Sequence, residues 1–241
     1  MKDRAVASVS TELQSNYDSY YVNGTNQWRE LSAKYKAGNI VSLCSSVPHK
    51  SVLEIGAGEG AVSAALSNRG FSSDITCLEI SQTGIEAIRG RNIEGLTEAK
   101  LFDGYHVPFS DGHFDLAIAS HVLEHVEHER LFLYEAMRVS KHLFIEVPLE
   151  DTLRLPLNFQ SDSVGHINFY NRKTIRRLLQ TCGLEVLEQQ LYDMPLDAHI
   201  YSGLAKGTTK YLIRRAASIF GSRLSSGYFT YRCAVLCRRH V

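Results

Sequence analysis

Three histidines and one glutamate have the residue types and the spacing to do chemistry. His121, Glu124 and His125 stand at positions i, i+3 and i+4, so on a helix they would share one face. A carboxylate beside neutral imidazoles could hold a metal ion, and an imidazole with a pKa near ~6.5 could instead remove a proton from a reacting hydroxyl. His166 stands in a second polar segment, GHINFYN. We therefore expect the candidate bases to be His166, His121 and His125.

A glycine-rich turn is the clearest ligand-binding feature of the chain. Residues 51–60 read SVLEIGAGEG, a short apolar run typical of a parallel strand buried on both faces, followed at once by glycines. Gly56, Gly58 and Gly60 allow a sharp turn and a close approach to a ligand that a Cβ would prevent. Apolar residues then recur at helical spacing over 61–68. This order predicts a nucleotide site, although the glycines alone would also fit a tight turn without a ligand.

The glycine spacing and the residue before the turn decide which nucleotide fits. The turn is GxGxG, whereas a dinucleotide fingerprint is GxGxxG. Glu54 would repel a pyrophosphate, but it suits S-adenosylmethionine, which carries a sulfonium, an ammonium and only one carboxylate. The segment resembles the first motif of class I S-adenosylmethionine-dependent methyltransferases, an acidic residue followed closely by GxGxG. The resemblance implies cofactor contacts by Glu54, Gly56, Ala57, Gly58 and Gly60.

A second acidic residue ends the next predicted strand. Residues 74–80 read as that strand, and Glu79 lies 23 positions beyond Gly56. This is close to the spacing of about 20 residues at which a carboxylate accepts hydrogen bonds from ribose hydroxyls in such folds. An ordinary exposed glutamate is the alternative. We include Glu79 and the adjacent Ile80 in the predicted cofactor site.

A third acidic residue, Asp103, follows the strand predicted at 99–102. The residues after it contain PFSDGHFD, and the pattern PFxDxxFD after an aspartate is similar to that of methyltransferases from ubiquinone and menaquinone biosynthesis. The resemblance implies that Asp103 accepts a hydrogen bond from the adenine amino group. It also implies that Gly104 and Tyr105 shape the adenine pocket.

The histidine segment follows the fourth predicted strand, at 114–119. Catalytic groups of open parallel sheets collect at the carboxyl ends of strands, so Ser120 and the histidines should face the cofactor region. The spacing is similar to ExxEH of small-RNA terminal methyltransferases and some ubiquinone O-methyltransferases, but His121 replaces the first glutamate. HVLEH also occurs in metal-free members of the superfamily, so we expect no metal. GHINFYN is similar to a segment of many small-molecule methyltransferases, which extends the resemblance to residues 50–192.

Strands and helices alternate from residue 50 to residue 192, which predicts an α/β fold with a doubly wound, mostly parallel sheet. The resemblance implies a seven-stranded, Rossmann-like sheet with an antiparallel seventh strand, which we expect at 228–237. We divide the chain into an N-terminal helical lid or extension, 1–46, and a methyltransferase domain, 47–241. A helix predicted at 26–44 could pack on the sheet edge or cover an acceptor pocket.

Composition restricts the class of protein further. The chain has 241 residues, 44% of them apolar, and five cysteines without a CxxC pair or a signal peptide. We expect reduced thiols and a cytoplasmic protein. No apolar run reaches the ~20 residues of a membrane span.

Charge is unevenly distributed although the net charge is zero. From residue 198 to the C-terminus there are eight Lys or Arg residues and no Asp or Glu. A helix predicted at 208–220 carries Lys210, Arg214 and Arg215 within the basic segment 206–223. It could be a solvated face, or it could contact phosphate on a nucleotide sugar, an RNA or a membrane surface.

Together these features predict methyl transfer from S-adenosylmethionine to a small-molecule acceptor, with S-adenosylhomocysteine as product. We expect the methyl group to be transferred to a hydroxyl of a sugar, phenol or other biosynthetic intermediate. The acceptor could be phosphorylated, and the protein could form a homodimer. His166 is preferred as the acceptor-site residue because aromatic residues follow it in a loop suited to a lid. Two different functions stay open: an RNA methyltransferase, for which no RNA-binding module is evident, and a non-catalytic cofactor-binding subunit.

Overall fold

Seven strands form one sheet that positions the predicted site. The computed structural model describes residues 8–21, 26–156, 165–201, 203–219, 221 and 225–240. The strands are β1 (Ser51–Ile55), β2 (Asp74–Glu79), β3 (Leu96–Leu101), β4 (Phe114–Ser120), β5 (Ser140–Pro148), β6 (Leu184–Tyr192) and β7 (Arg232–Arg239). Their order is β3-β2-β1-β4-β5-β7-β6, and β7 is antiparallel to both of its neighbours. The predicted α/β sheet with an antiparallel seventh strand is therefore confirmed.

Helices cover both faces of this sheet. The helices of the described ranges are α1 (Thr11–Tyr21), α2 (Gln27–Cys44), α3 (Ala61–Ser67), α4 (Gln82–Gly90), α5 (Glu129–Val139), α6 (Arg172–Thr181), α7 (Leu196–Ile200) and α8 (Leu204–Ile219). Side-chain caps fix several of their starts. Asn26 accepts from the backbone N–H of Trp28 at the start of α2, and Asn171 forms a capping box with Thr174 at the start of α6.

The buried strand β1 shows how the core is divided between the two faces. Leu53 and Ile55 pack with residues of α5 and α6, whereas Val52 packs with residues of α2 and α3. Successive side chains of a strand point to opposite faces, so one short apolar strand serves both layers. Because α2 contributes Ala37 and Ile40 to this core, it packs against the sheet. The domain boundary placed after residue 46 stays a prediction.

Three helices and one strand differ from what the sequence pattern predicts. Both α1 and α7 are absent from the sequence prediction, because α1 is polar and α7 spans only Leu196–Ile200. Strand β7 starts at Arg232 rather than at residue 228, and α8 starts at Leu204 rather than at residue 208. Residues 157–164 of the loop after β5 lie outside the described residues.

All five cysteines are free thiols. In the described ranges, no helix combines the length and the apolar character that crossing a bilayer requires.

Candidate functional site

The glycine turn is fixed by its own backbone. Gly56, Gly58 and Gly60 have φ angles of 74°, 58° and 76°, the left-handed region that favours glycine. The N–H groups of Gly56 and Ala57 both donate to the carbonyl oxygen of Leu78, at 2.8 and 3.0 Å. These bonds tie the turn to the end of β2. The predicted glycine positions therefore form one tight loop at the carboxyl edge of the sheet.

Glu79 lies directly against this turn. Its Oε2 accepts a hydrogen bond from the backbone N–H of Gly58 at 2.7 Å, and its Oε1 accepts from that of Ser81 at 3.2 Å. Burial raises the pKa of the Glu79 carboxyl, although these N–H groups oppose the shift. A carboxylate oxygen can accept more than one hydrogen bond, so Glu79 retains acceptor capacity for ribose hydroxyls. Its contact with ribose stays a prediction.

Asp103 has a similar arrangement at the end of β3. Its Oδ1 accepts from the backbone N–H groups of Tyr105 at 2.9 Å and His106 at 2.6 Å. Its Oδ2 accepts no hydrogen bond from the described part of the chain. Gly104 has a φ angle of 91°, and a Cβ there would meet Val9 Cγ1 at 2.5 Å. The two N–H groups orient the Asp103 carboxylate, and its contact with adenine stays a prediction.

Glu54 points away from the turn, toward α3. The carboxyl is buried, and the hydroxyl of Ser63 donates to it. Burial raises the pKa of Glu54 to about 7, despite the opposing effects of the Ser63 hydrogen bond and the Lys36 charge. Its contact with the cofactor stays a prediction.

Ser120, the last predicted cofactor residue, donates from its hydroxyl to Glu146 Oε1 at 3.3 Å.

Helix α1 lies across this end of the sheet. Gln14 Nε2 donates to the carbonyl oxygen of Ile80 at 2.9 Å, and the Ser81 hydroxyl donates to Asp18 at 2.7 Å. A Cβ at Gly58 would lie 2.9 Å from the hydroxyl oxygen of Tyr21. The helix therefore covers the glycine turn and touches the residue that follows Glu79.

His121 occupies a strained position directly after β4. Its φ angle is 59°, which is rare for a residue with a side chain. Its Nδ1 lies 3.1 Å from Glu124 Oε1, and its Nε2 lies 3.3 Å from Glu146 Oε1. Burial alone would raise the pKa of both fully buried glutamates, but the His121 contacts outweigh it and lower them. Both ring nitrogens face carboxylates, so neither is placed to accept a proton from a substrate.

His125 and His166 meet from different segments. Their ring centroids lie 4.8 Å apart. His125 Nδ1 lies 3.1 Å from the carbonyl oxygen of Gly165, which requires a proton on that nitrogen. Burial lowers the pKa of His125, while the charge of Glu124 opposes the shift. His166 Nδ1 lies 2.7 Å from Glu150 Oε2, a hydrogen bond that orients the ring.

The loop that carries His166 is fastened to the 3₁₀ turn Leu123–His125. The backbone N–H groups of Ile167 and Asn168 donate to the carbonyl oxygen of Glu124 at 2.9 and 3.0 Å. Asn168 Nδ2 also donates to the carbonyl oxygen of Val126 at 2.7 Å. The structure therefore brings the two histidine segments of the sequence into one site.

Two glutamates of this site are missing from the sequence prediction. Glu146 belongs to β5 and is fully buried, and Glu150 follows the same strand. A charged residue inside the apolar strand sequence FIEVP is a signal that could have identified Glu146, because buried charges are rare without partners. Glu150 had no comparable signal.

One group of side chains has the composition of a metal site. Suitable ligand atoms of Glu124, His125 and His166 all lie within 4.8 Å of one another. Apart from the contact with His121, neither carboxylate oxygen of Glu124 has a hydrogen-bond partner in the described segments. Nitrogen and oxygen ligands of this kind suit Zn²⁺ and other divalent cations. The expectation of no metal stays an expectation.

Comparison with known protein families identifies a methyltransferase domain in this chain. A family profile described as "Methyltransferase domain" matches residues 28–189, which include the glycine turn and the histidine segments. A search of curated protein sequences gave no match.

Solved structures share the fold at low sequence identity. A methyltransferase of Haloferax volcanii, solved with a methyltransferase activator, has a TM-score of 0.63 and 15% identity and covers 95% of this chain and 98% of its own. The magnesium protoporphyrin IX methyltransferase of Synechocystis PCC 6803 with bound S-adenosylhomocysteine has a TM-score of 0.60 and 13% identity, with 95% and 99% covered. The cyclase SpnF has a TM-score of 0.61 and 14% identity, with 86% and 81% covered.

Proposed function

The chain belongs to the class I S-adenosylmethionine-dependent methyltransferases, and from this premise we propose that its acceptor is a hydroxyl of a small molecule. A sugar, a phenol or another biosynthetic intermediate would supply such a hydroxyl. The observation that carries this proposal is the contact between His166 Nδ1 and Glu150 Oε2 at 2.7 Å. A hydroxyl is a poor nucleophile, and an oriented histidine beside the acceptor position is the group that would activate it.

The cofactor supplies an electrophilic methyl group on a sulfonium. In this proposal, Glu79 holds the ribose hydroxyls and Oδ2 of Asp103 holds the adenine amino group. The glycine turn lets the backbone approach the remainder of the cofactor. These residues bind and orient the donor, and they take no part in proton transfer.

His166 acts on the acceptor. A proton on Nδ1 shared with Glu150 places the lone pair of the ring on Nε2. The hydroxyl proton would pass to Nε2 as the acceptor oxygen took the methyl group, and the electrons of the broken carbon–sulfur bond would stay on the sulfur of the cofactor. Glu150 stabilises the imidazolium that results. His121, held between Glu124 and Glu146, shapes the floor of the site.

A metal-assisted version of the same reaction is the second candidate. It is supported by Glu124, His125 and His166, whose ligand atoms lie within 4.8 Å of one another. A bound divalent cation would lower the pKa of an acceptor hydroxyl and would take His166 out of the role of base. The two versions differ in their response to chelators. Loss of activity on chelation that Mg²⁺ or Mn²⁺ restores would favour the metal version.

Two alternative functions, an RNA methyltransferase and a non-catalytic cofactor-binding subunit, differ from this proposal in their acceptor. An RNA methyltransferase would need phosphate contacts for its acceptor, and a cofactor-binding subunit would need no acceptor. The cyclase SpnF has the same fold, so the fold alone does not decide the reaction. A phosphorylated acceptor and a cytoplasmic location also stay predictions.

Methyl transfer from labelled S-adenosylmethionine to separate pools of sugars, phenols and RNA tests the proposal. We expect label in a sugar or phenol pool, on oxygen as located by mass spectrometry, and none in RNA. Transfer to RNA would replace the proposed acceptor class. Cofactor binding by calorimetry without transfer to any pool would favour the non-catalytic subunit. The variant Glu86→Ala, on the exposed face of α4, is a control that should behave as wild type.

A further inference from the structure

The outer face of α8 is apolar and exposed. Leu204, Leu212, Ile213 and Ile219 expose 72, 59, 54 and 83% of their surfaces. A single exposed apolar residue needs no explanation, but several on one side of a helix form a patch of the kind that marks an interaction surface. Leu212, Ile213 and Ile219 share one outward sector, which we call the α8 apolar face, and Leu204 lies at its border.

Positively charged residues border this face on both sides. An α-helix turns by about 100° per residue. The outward sector of α8 therefore contains Leu212, Ile213 and Ile219, and no charged side chain lies within it. Lys206 and Lys210 lie on one border, and Arg215 lies on the other beside Leu204. No carboxylate of the described residues forms an ion pair with these three cations. An apolar stripe between basic borders is typical of helices that lie in a membrane interface.

The orientation of α8 is fixed by its inner side. Arg214 is only 4% exposed, and its Nε lies 2.9 and 3.0 Å from the two carboxylate oxygens of Asp193. Its Nη2 donates to the carbonyl oxygen of Thr230 at 2.8 Å, and its guanidinium lies 4.6 Å from the ring centre of Tyr231. The sequence pattern grouped Arg214 with Lys210 and Arg215, but it is an internal anchor. The apolar face therefore points outward because the opposite face is bonded to the domain.

A cleft extends the basic border away from the helix. Arg154, Lys206 and Lys210 line a cavity of about 750 Å³ together with Ile213 and Phe229. The cavity combines cations with an apolar wall. A lipid matches both features, because its phosphate headgroup is negatively charged and its acyl chains are apolar.

We propose that α8 docks this protein on an anionic lipid surface. Lys206, Lys210 and Arg215 are exposed and place three positive charges at the borders of the face. Two copies of this face would bring like charges together, and RNA would leave its apolar side chains in water. Anionic lipid offers both negative headgroups and an apolar layer in which those side chains are buried.

The same face lies at the working edge of the sheet. Strands β5 and β6 are both antiparallel to β7, so they run in the same direction. The segment after β6, which contains α8, therefore leaves the sheet at the same edge as the Glu150 loop after β5. A docked protein would keep His166 and Glu150 close to the lipid surface. The proposed methyl transfer does not itself require this docking.

Flotation with lipid vesicles tests the docking. Wild-type protein should float with vesicles of phosphatidylcholine and phosphatidylglycerol, but not with phosphatidylcholine alone, and added salt should weaken the binding. Leu212→Glu/Ile219→Glu should reduce binding at least tenfold. The matched control is Leu131→Glu, which changes an apolar residue of α5 that is 46% exposed, and it should bind as wild type.

A second pair of variants isolates the charge. Lys206→Gln/Lys210→Gln should weaken binding about 25-fold, because each cation near an anionic surface contributes about fivefold. The control Lys173→Gln/Arg177→Gln removes two exposed cations from α6 and should have no effect. Melting temperatures and cofactor affinity should stay at wild-type values in all four variants.

Several outcomes would overturn the proposal. One is wild-type protein that does not float with anionic vesicles. Another is equal vesicle binding by the Leu212→Glu/Ile219→Glu and Leu131→Glu variants. Equal binding to neutral vesicles would remove the role of the cations. A wild-type dimer in sedimentation that only Leu212→Glu/Ile219→Glu dissociates, without vesicle binding, would assign the face to a second copy. Salt-sensitive RNA binding without vesicle binding would assign the cations to nucleic acid.

Discussion

The proposed cofactor end of this site, around Glu79 and Asp103, and the proposed acceptor end, around His121 and His166, are built in different ways. At the cofactor end, backbone N–H groups of the glycine turn and the adjacent loops hold Glu79 and Asp103. At the acceptor end, side chains from three segments hold one another, as in the contacts of His121 with Glu124 and Glu146. A site held by backbone groups depends on the path of the chain, whereas a side-chain network depends on each of its members.

This difference separates binding from chemistry. In the proposed function, the cofactor end presents carboxylate oxygens to hydroxyl and amino donors of the cofactor, which is a binding task. The acceptor end carries the imidazoles that can move a proton, and its charges are mutually dependent because Glu124 and Glu146 are both fully buried. Changes at the two ends should therefore affect different measured quantities.

The largest effect is expected at the acceptor end. His166→Ala should lower kcat/KM about 10²- to 10⁴-fold, because the hydroxyl loses its base, while cofactor affinity stays near the wild-type value. Steady-state kinetics and calorimetry measure the two quantities. His113→Ala, an exposed histidine between β3 and β4, is the control and should keep wild-type kinetics. Near-normal turnover of the His166→Ala protein would refute the assignment.

At the cofactor end, Glu54 should make stability depend on pH. Its pKa in the folded protein is about 7, above the usual 4.5, so between these values the unfolded chain loses a proton that the folded chain keeps. Stability should therefore fall as pH rises through this window, by on the order of 3 kcal/mol. Urea unfolding at several pH values should show this slope in wild type and its loss in Glu54→Gln. The same slope in both proteins would contradict the burial argument.

Cofactor affinity should respond to the two backbone-held carboxylates. Glu79→Ala and Asp103→Ala should each weaken S-adenosylmethionine binding by ~1 to 3 kcal/mol, because each removes acceptors for cofactor donors. Calorimetry on folded variants decides this, with Glu86→Ala as the matched control. Wild-type affinity in both variants would remove the assigned cofactor site.

The smallest effect is expected at the stem of the acceptor loop. Asn171 caps α6 and also donates from Nδ2 to Asp151 at 2.7 Å. Asn171→Ala should reduce the free energy of unfolding by ~1 kcal/mol and leave cofactor affinity unchanged. Asn171→Ser keeps a capping oxygen and should recover most of the loss. Equal stability of the Ala and Ser variants would show that the cap contributes little.

How much the sequence predicts also differs between the two ends. At the cofactor end, Gly56, Glu79 and Asp103 are local signals, because a strand followed by glycine or an acidic residue can be recognised without knowledge of the fold. The alternation of strands and helices likewise predicted the sheet. Its antiparallel β7 came from the family resemblance, because no local pattern specifies strand order.

The acceptor end needed the three-dimensional structure. His166 and Glu150 are separated by sixteen positions in the chain, and their pairing depends on how the loop folds back. The covering helix α1 lacks an apolar stripe because it bonds to the cofactor loops rather than to the core, so periodicity could not reveal it. Arg214 read as a surface cation because burial cannot be seen in a charge count.

A double-mutant cycle between the two ends tests their separation most directly. The quantities are kcat/KM values for wild type, Glu79→Ala, His166→Ala and the double variant. If one end binds and the other does the chemistry, the two losses should add to within ~0.5 kcal/mol. A coupling energy well above ~1 kcal/mol would mean that the two ends act as one network, and it would contradict the account.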